Sequence, residues 1–111
     1  MGELRIAVAT NGRRGLEDAV SEVFGRSNVF TIVDVDDEEI KGVKVIENPA
    51  VSYKHGAGPI VTKMLIDSRV NVVIAGELGP GVSVLLDQFN IRKITVKPGT
   101  QVAEAIKEAL R

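Results

Sequence analysis

Cysteine is absent from the chain. Disulfides, zinc–thiolate sites and iron–sulfur clusters held by the chain's own thiolates are therefore excluded. Tryptophan is absent too, and aromatic residues make up only 4%. The core must then be built from Val, Ile, Leu and Ala, which suits the β-branched buried strands of α/β layers. A formal net charge of -1 supplies no basic excess. That argues against a sequence-independent nucleic-acid binder, which needs a basic face to displace counterions. No stretch approaches the roughly 20 apolar residues of a membrane span. The opening "MGELRIAVAT", with Glu3 and Arg5, reads as a strand and not as a signal peptide. A soluble cytoplasmic protein with neither a nucleic-acid nor a membrane partner is the default expectation.

What is present fits one domain over 1–111, with 44% hydrophobic residues for a single core. "LRIAVAT" (4–10) reads as a buried strand and "NGRRG" (11–15) as a loop. "LEDAVSEVFG" (16–25) spaces Leu16, Ala19, Val20 and Val23 as a short helix that Gly25 would end. "NVFTIVDV" (28–35), with Phe30, Ile32 and Val35 inward, and "IKGVKVIEN" (40–48) read as an antiparallel hairpin turning at "DDEE", the latter strand with one wet face. Helix 56–69 carries Ile60, Val61, Met64 and Leu65, with Pro59 in its first turn. Strand 70–76 is the most apolar segment. Helix 77–90 points Val82, Leu85, Leu86 and Phe89 inward. Strand 91–97 and helix 99–111 follow, the helix capped by Thr100 and striped by Val102, Ala105, Ile106 and Ala109. Alternating strands and helices predict parallel pairing with right-handed crossovers. The expected fold is α/β: a five-stranded mixed sheet in order 3-2-1-4-5, strand 2 antiparallel, with helices on both faces.

That topology gathers four unusual segments on one rim: "TNGRRG", "FGRSN", "NPAVSYKHGAG" and "GELGPG". Open α/β sheets bind ligands outside the carboxyl ends of their strands, where strand order reverses. Here "TNGRRG" is expected to face "GELGPG". The candidate ligand-binding residues are Asn11, Arg13, Phe24, Gly25, Arg26, Gly56, Gly58, Gly76, Gly79 and Gly81. Glycines admit close approach of the backbone, arginines add positive charge, and helix N-termini favour anions. Each has a plainer reading as a tight turn or a solvated loop. "GELGPG" is neither a dinucleotide fingerprint nor a phosphate P-loop. The only histidine, His55, is the candidate metal ligand, since a neutral imidazole is the commonest one. A residue flanking a helix start is its alternative role. No catalytic constellation is visible: one imidazole serves the whole chain, Asp34 and Asp36 sit at the far end of strand 2, and Glu77 is the one acid clearly on the rim.

"SEVFGRSNVFTIVDV", "ENPAVSYKHGAGPIVTKML", "VNVVIAGELGPGVSVLL" and "TQVAEAIKEAL" together resemble the dinitrogenase iron–molybdenum cofactor biosynthesis family, over nearly the whole chain. The resemblance implies a ribonuclease H-like fold and a non-enzymatic carrier of an anionic ligand, an iron–sulfur or iron–molybdenum cluster or its precursor. The family's first block commonly reads Glu-His-Phe-Gly-Arg; here Val23 stands in place of that histidine, while the block holding His55 is kept. The alternative is a protein-interaction or regulatory module of the same fold that has lost cluster binding. A monomer or weak homodimer is expected, with a metal cluster, a small anion or a protein as partner.

Overall fold

Val72, Val73, Ile74 and Ala75 are each no more than 2% exposed. A run of this kind is stable only as a strand covered on both faces, and it forms the inner parallel strand of a five-stranded sheet. The computed structural model describes residues 2–111. Its elements are β1 (Glu3–Thr10), a single 3-10 turn (Gly15–Glu17), β2 (Val29–Asp36), β3 (Glu39–Glu47), α1 (Ala57–Asp67), β4 (Val72–Ala75), α2 (Pro80–Gln88), β5 (Arg92–Thr95) and α3 (Val102–Ala109). The order is β3-β2-β1-β4-β5. β1 pairs antiparallel with β2, β2 antiparallel with β3, and β4 runs parallel to β1 and β5. The expected order and directions are those observed. No described helix is long and apolar enough to cross a membrane.

Side-chain alternation divides the core into two layers. Ala7, Ala9, Phe30, Ile32, Val73 and Ala75 face Val61 and Leu65 of α1 and Leu86 of α2. Ile6, Val8, Val33, Val72 and Ile74 face Val102, Ala105, Ile106 and Ala109 of α3. Val35 belongs to this second layer, not with Phe30 and Ile32, because an odd separation along a strand reverses the face. Two helix ends also depart from expectation. Phe89 is the residue that closes α2 and is 53% exposed, since the helix ends before it can turn inward. Gln101, not Thr100, precedes α3; the Thr100 hydroxyl instead donates to the Lys97 carbonyl at 2.6 Å.

The largest departure lies at 16–25, where no α-helix forms. Leu16, Val20 and Phe24 have helical spacing, but Val20 packs under α3 while Phe24 packs under α1 and α2. A helix would hold both on one side. The segment instead runs as an extended strap over the carboxyl edge of the sheet, from one face to the other. Beyond the 3-10 turn at its start, the strap is anchored by backbone bonds to other segments: Asn11 N–H to Ala19 O, Val20 N–H to Thr100 O, Ser21 N–H to Ala9 O and Gly76 N–H to Ser21 O. Asp18 pins the strap's start by accepting from the N–H groups of Arg14 (2.9 Å) and Ala19 (2.7 Å). Such local side-chain bonds compete with the helix the spacing suggests.

Candidate functional site

The strap decides which of the rim segments meet. A Cβ at Gly76 would stand 2.9 Å from Ser21 O and Glu22 Cα and 2.8 Å from Pro98 Cγ. The strap therefore fills the crevice between the carboxyl ends of β1 and β4, and Gly76 is glycine because the strap crosses it. "TNGRRG" consequently does not face "GELGPG". It turns towards β3, where the Arg13 guanidinium pairs with the Glu47 carboxylate and Gly15 lies beside Val43. Arg14 pairs with Asp18 at 3.7 Å. Asn11 is held by its backbone, accepting from the Asn28 amide at 3.1 Å. Asn11 and Arg13 thus stand apart from the helix starts.

The remaining candidates do converge, beside the start of α1. Phe24 is buried and meets Phe30 edge to face at 5.5 Å between ring centres. That contact seats Gly25, whose Cβ, if present, would lie 3.1 Å from Gly58 N. The next residue, Arg26, donates from its guanidinium to the Lys54 carbonyl. His55 follows Lys54 directly, and both are exposed. Gly56 takes φ +77 to open α1, a conformation that favours glycine. Gly58 in turn touches α2: a Cβ there would sit 2.5 Å from Val82 Cγ2. So Gly25, Gly58 and Gly76 have packing reasons and Gly56 a backbone reason. Gly79 and Gly81, at the start of α2, face open space. Nothing inside the protein requires glycine at those two positions.

The site therefore comprises the exposed His55 and Arg26 with the first turns of α1 and α2. The earliest N–H groups of a helix have no partner within it and carry partial positive charge. Arg26 has no carboxylate within ion-pair distance among the described residues. Glu22 and Glu77 border the site on the β4 side and are exposed. Among the described residues no three of His, Cys, Asp and Glu group closely enough to hold a metal ion.

Three residues that position the site were not foreseen. Asn48 is buried, and its amide donates to the carbonyls of Gly25 (2.9 Å) and Ser27 (2.8 Å) while its oxygen accepts from Ala50 N–H (2.8 Å). It clamps the segment carrying Arg26 to the loop that leads to His55. Ser27 is buried and donates to the Thr10 carbonyl at 2.9 Å, fixing the same segment to β1. Asp18 holds the strap. Burial raises its carboxyl pKa, but the N–H groups of Arg14 and Ala19, the Arg14 charge and the Gly12 N–H outweigh this and hold it below 3.8. An Asn ahead of Pro49 at a strand end was the available signal for Asn48, since short amides there bond to backbone.

Known proteins match this chain over its length. It is 30% identical to the protein MJ0580 of Methanocaldococcus jannaschii over 104 residues, 94% of this chain and 83% of that one. The apo form of the orange protein of Desulfovibrio gigas superposes with a TM-score of 0.84 at 28% identity, covering 99% of this chain and 90% of that one. A Thermotoga protein described as NifB-like superposes with a TM-score of 0.76 at 29% identity, covering 96% and 87%. The family model described as dinitrogenase iron-molybdenum cofactor matches residues 2–111, and the chain belongs to that family.

Proposed function

We propose that this chain is a non-enzymatic binding or carrier protein for a small anionic ligand of the iron–sulfur or iron–molybdenum cluster type, acting in the cytoplasm. What carries the reading is the family match over residues 2–111. Similarity to a protein described in an apo form supports a ligand-bound counterpart. His55 is the ligating group, since a neutral imidazole suits iron and other first-row transition metals. Arg26 and the first-turn amides of α1 and α2 offset the ligand's negative charge. Arg13, already paired with Glu47, contributes little. Nothing in the residues speaks for catalysis: Glu22 and Glu77 at the rim join no cluster of potential ligands or bases among the described residues, and Asp34 is engaged by Arg5 at the opposite edge.

A second reading, a protein-interaction module without a ligand, draws on Val23 and Tyr53, each 46% exposed beside the site. The two readings separate in one experiment. Purified protein is mixed anaerobically with a synthetic iron–sulfur cluster that has exchangeable thiolates, then desalted. A visible absorption band that stays with the protein and is lost in His55→Ala is expected. A spectrum without that band, identical for the two proteins, leaves the interaction module as the better reading.

A further inference from the structure

The two helices at the rim are reached by unequal connections. β4 ends at Ala75 and α2 begins at Pro80, whereas β3 ends at Glu47 and α1 does not begin until Ala57. The longer connection carries His55, and from 49 to 56 only Ala50 is buried. A segment with so little buried surface gains little from packing to offset its lost conformational freedom. Arg26, the other charged group of the proposed site, comes from the segment between the strap and β2. An imidazole and a guanidinium on two separate segments bind one ligand well when their spacing is fixed beforehand.

Asn48 is placed to fix it. The residue is 4% exposed. Its amide donates to the carbonyls of Gly25 at 2.9 Å and Ser27 at 2.8 Å, the residues on either side of Arg26. Its side-chain oxygen accepts at 2.8 Å from the N–H of Ala50, which seats the loop in the core. Both donors and the acceptor of one planar amide are thus engaged. No other side chain of this length offers the same set: a carboxylate at neutral pH has no donor, and a hydroxyl has one. The remaining tie, from the Arg26 guanidinium to the Lys54 carbonyl, lies in the open, where water competes for it.

We infer that Asn48 is the positioning residue of the rim: it makes the Arg26 segment and the His55 loop one rigid unit, so that both groups meet the anionic ligand at a preset spacing. This rests on the carrier reading above. Asn48 is buried and acts through the other two residues. With the clamp in place, the loop is ordered before the ligand arrives, and binding does not have to supply that order. Without its donors, the carbonyls of Gly25 and Ser27 lose a buried partner, and the two segments are free to open separately.

The test compares the full chain as wild type, Asn48→Asp and Thr31→Val. Asn48→Asp keeps the side chain's size and its acceptor but loses both donors. Thr31→Val removes a buried hydroxyl on β2 that bonds Thr10 at 3.0 Å, and so controls for lost stability alone. Backbone amide hydrogen exchange is followed first, without ligand. Asn48→Asp is expected to speed exchange at Ser27 on one segment and at Ala50 and Tyr53 on the other, by about tenfold or more, with β4 and α3 unchanged. Thr31→Val is expected to leave those three amides as in the wild type. Anaerobic titration with the synthetic iron–sulfur cluster follows, on protein folded by circular dichroism. Asn48→Asp is expected to bind about tenfold or more weakly although His55 and Arg26 are intact, and Thr31→Val as tightly as the wild type. Asn48→Ser, which keeps one donor, is expected to fall between and serves if Asn48→Asp does not fold. Faster exchange in only one of the two segments overturns the coupling. Faster exchange in both with unchanged affinity, or an equal loss of affinity in Thr31→Val, overturns the positioning role. A wild type that retains no band overturns the carrier reading, and the exchange pattern then decides the clamp alone.

Discussion

The two ends of the sheet carry similar numbers of charges but use them differently. At the edge away from the strap, Arg5 and Asp34 face each other across β1 and β2. The guanidinium bonds the carboxylate at 2.7 Å and the Ser68 carbonyl at 2.8 Å. The bond and charge of Asp34 raise the pKa of Arg5 further above its ordinary value. This edge also holds a groove of about 530 Å³, lined by Arg5, Asp34, Lys41, Arg69 and Asn71 among others. At the rim, His55 is exposed and Arg26 meets only a carbonyl. The paired Arg5 and Asp34 at that edge have less to offer a ligand than Arg26 and His55 at the rim. Recognition depends on the few polar groups that converge and not on volume alone.

The sharpest way to break the comparison is to disturb the strap, because only the rim depends on it. Gly76→Val would drive a side chain into Ser21 O and Glu22 Cα. Overpacking against backbone costs on the order of 1–3 kcal/mol or more. Urea unfolding is expected to show at least that loss, and the variant is expected to bind the cluster poorly because the strap is displaced. A Gly76→Val protein with wild-type stability would mean that the strap does not lie where the contacts place it.

Asp18→Ala is next in size. It removes the acceptor from two backbone N–H groups, and a lost buried bond of this kind costs about 1–3 kcal/mol. The pH dependence has a definite sign. The carboxyl is held below 3.8 in the folded protein. Its contribution is therefore fully present above the unfolded value and is lost as pH falls through the folded value. Thermal melts of the wild type and Asp18→Ala are expected to differ at pH 7 and to draw together below about pH 3.8. A gap between the two that stays constant down to pH 2 would contradict the assignment.

How much of this was legible in the sequence follows from the range of the interactions. The β-branched run at 72–75 and the stripe of Val102, Ala105, Ile106 and Ala109 are local patterns, and the elements they predict are present. Strand order followed from alternation of strand and helix. The strap was not legible, because Leu16, Ala19, Val20 and Val23 are spaced as the apolar stripe of a short helix would be. What selects the strap is bonding to Ala9, Gly76 and Thr100, residues up to some eighty positions distant in the chain. Arg13 was read as a rim cation for the same reason: its partner, Glu47, lies in another strand. His55 and Arg26 were brought to one side correctly, since both lie in loops that the topology alone assigns to one edge.

Asp34→Ala tests the opposite end. The pair is partly exposed, with 36% and 43% of the two side chains accessible. Such solvent-screened pairs contribute little to stability. A small drop in stability with undiminished cluster binding is expected; a loss of binding equal to that of a rim variant would mean that the groove, not the rim, holds the ligand.

His55→Ala has the smallest expected effect on stability and the largest on the proposed ligand. The side chain is exposed, and surface substitutions away from special features fall within about 0.5 kcal/mol. If His55 only flanked the start of α1, its removal would register as a small change in melting and nothing else. Gly56, with φ +77, and not His55, holds the chain's turn into that helix. Titration with the cluster therefore separates the two roles, since no structural account gives a spectroscopic change. Arg26→Ala sharpens the contrast further. It leaves the imidazole in place and removes one charge, so a weakened but still visible band is expected, intermediate between the wild type and His55→Ala.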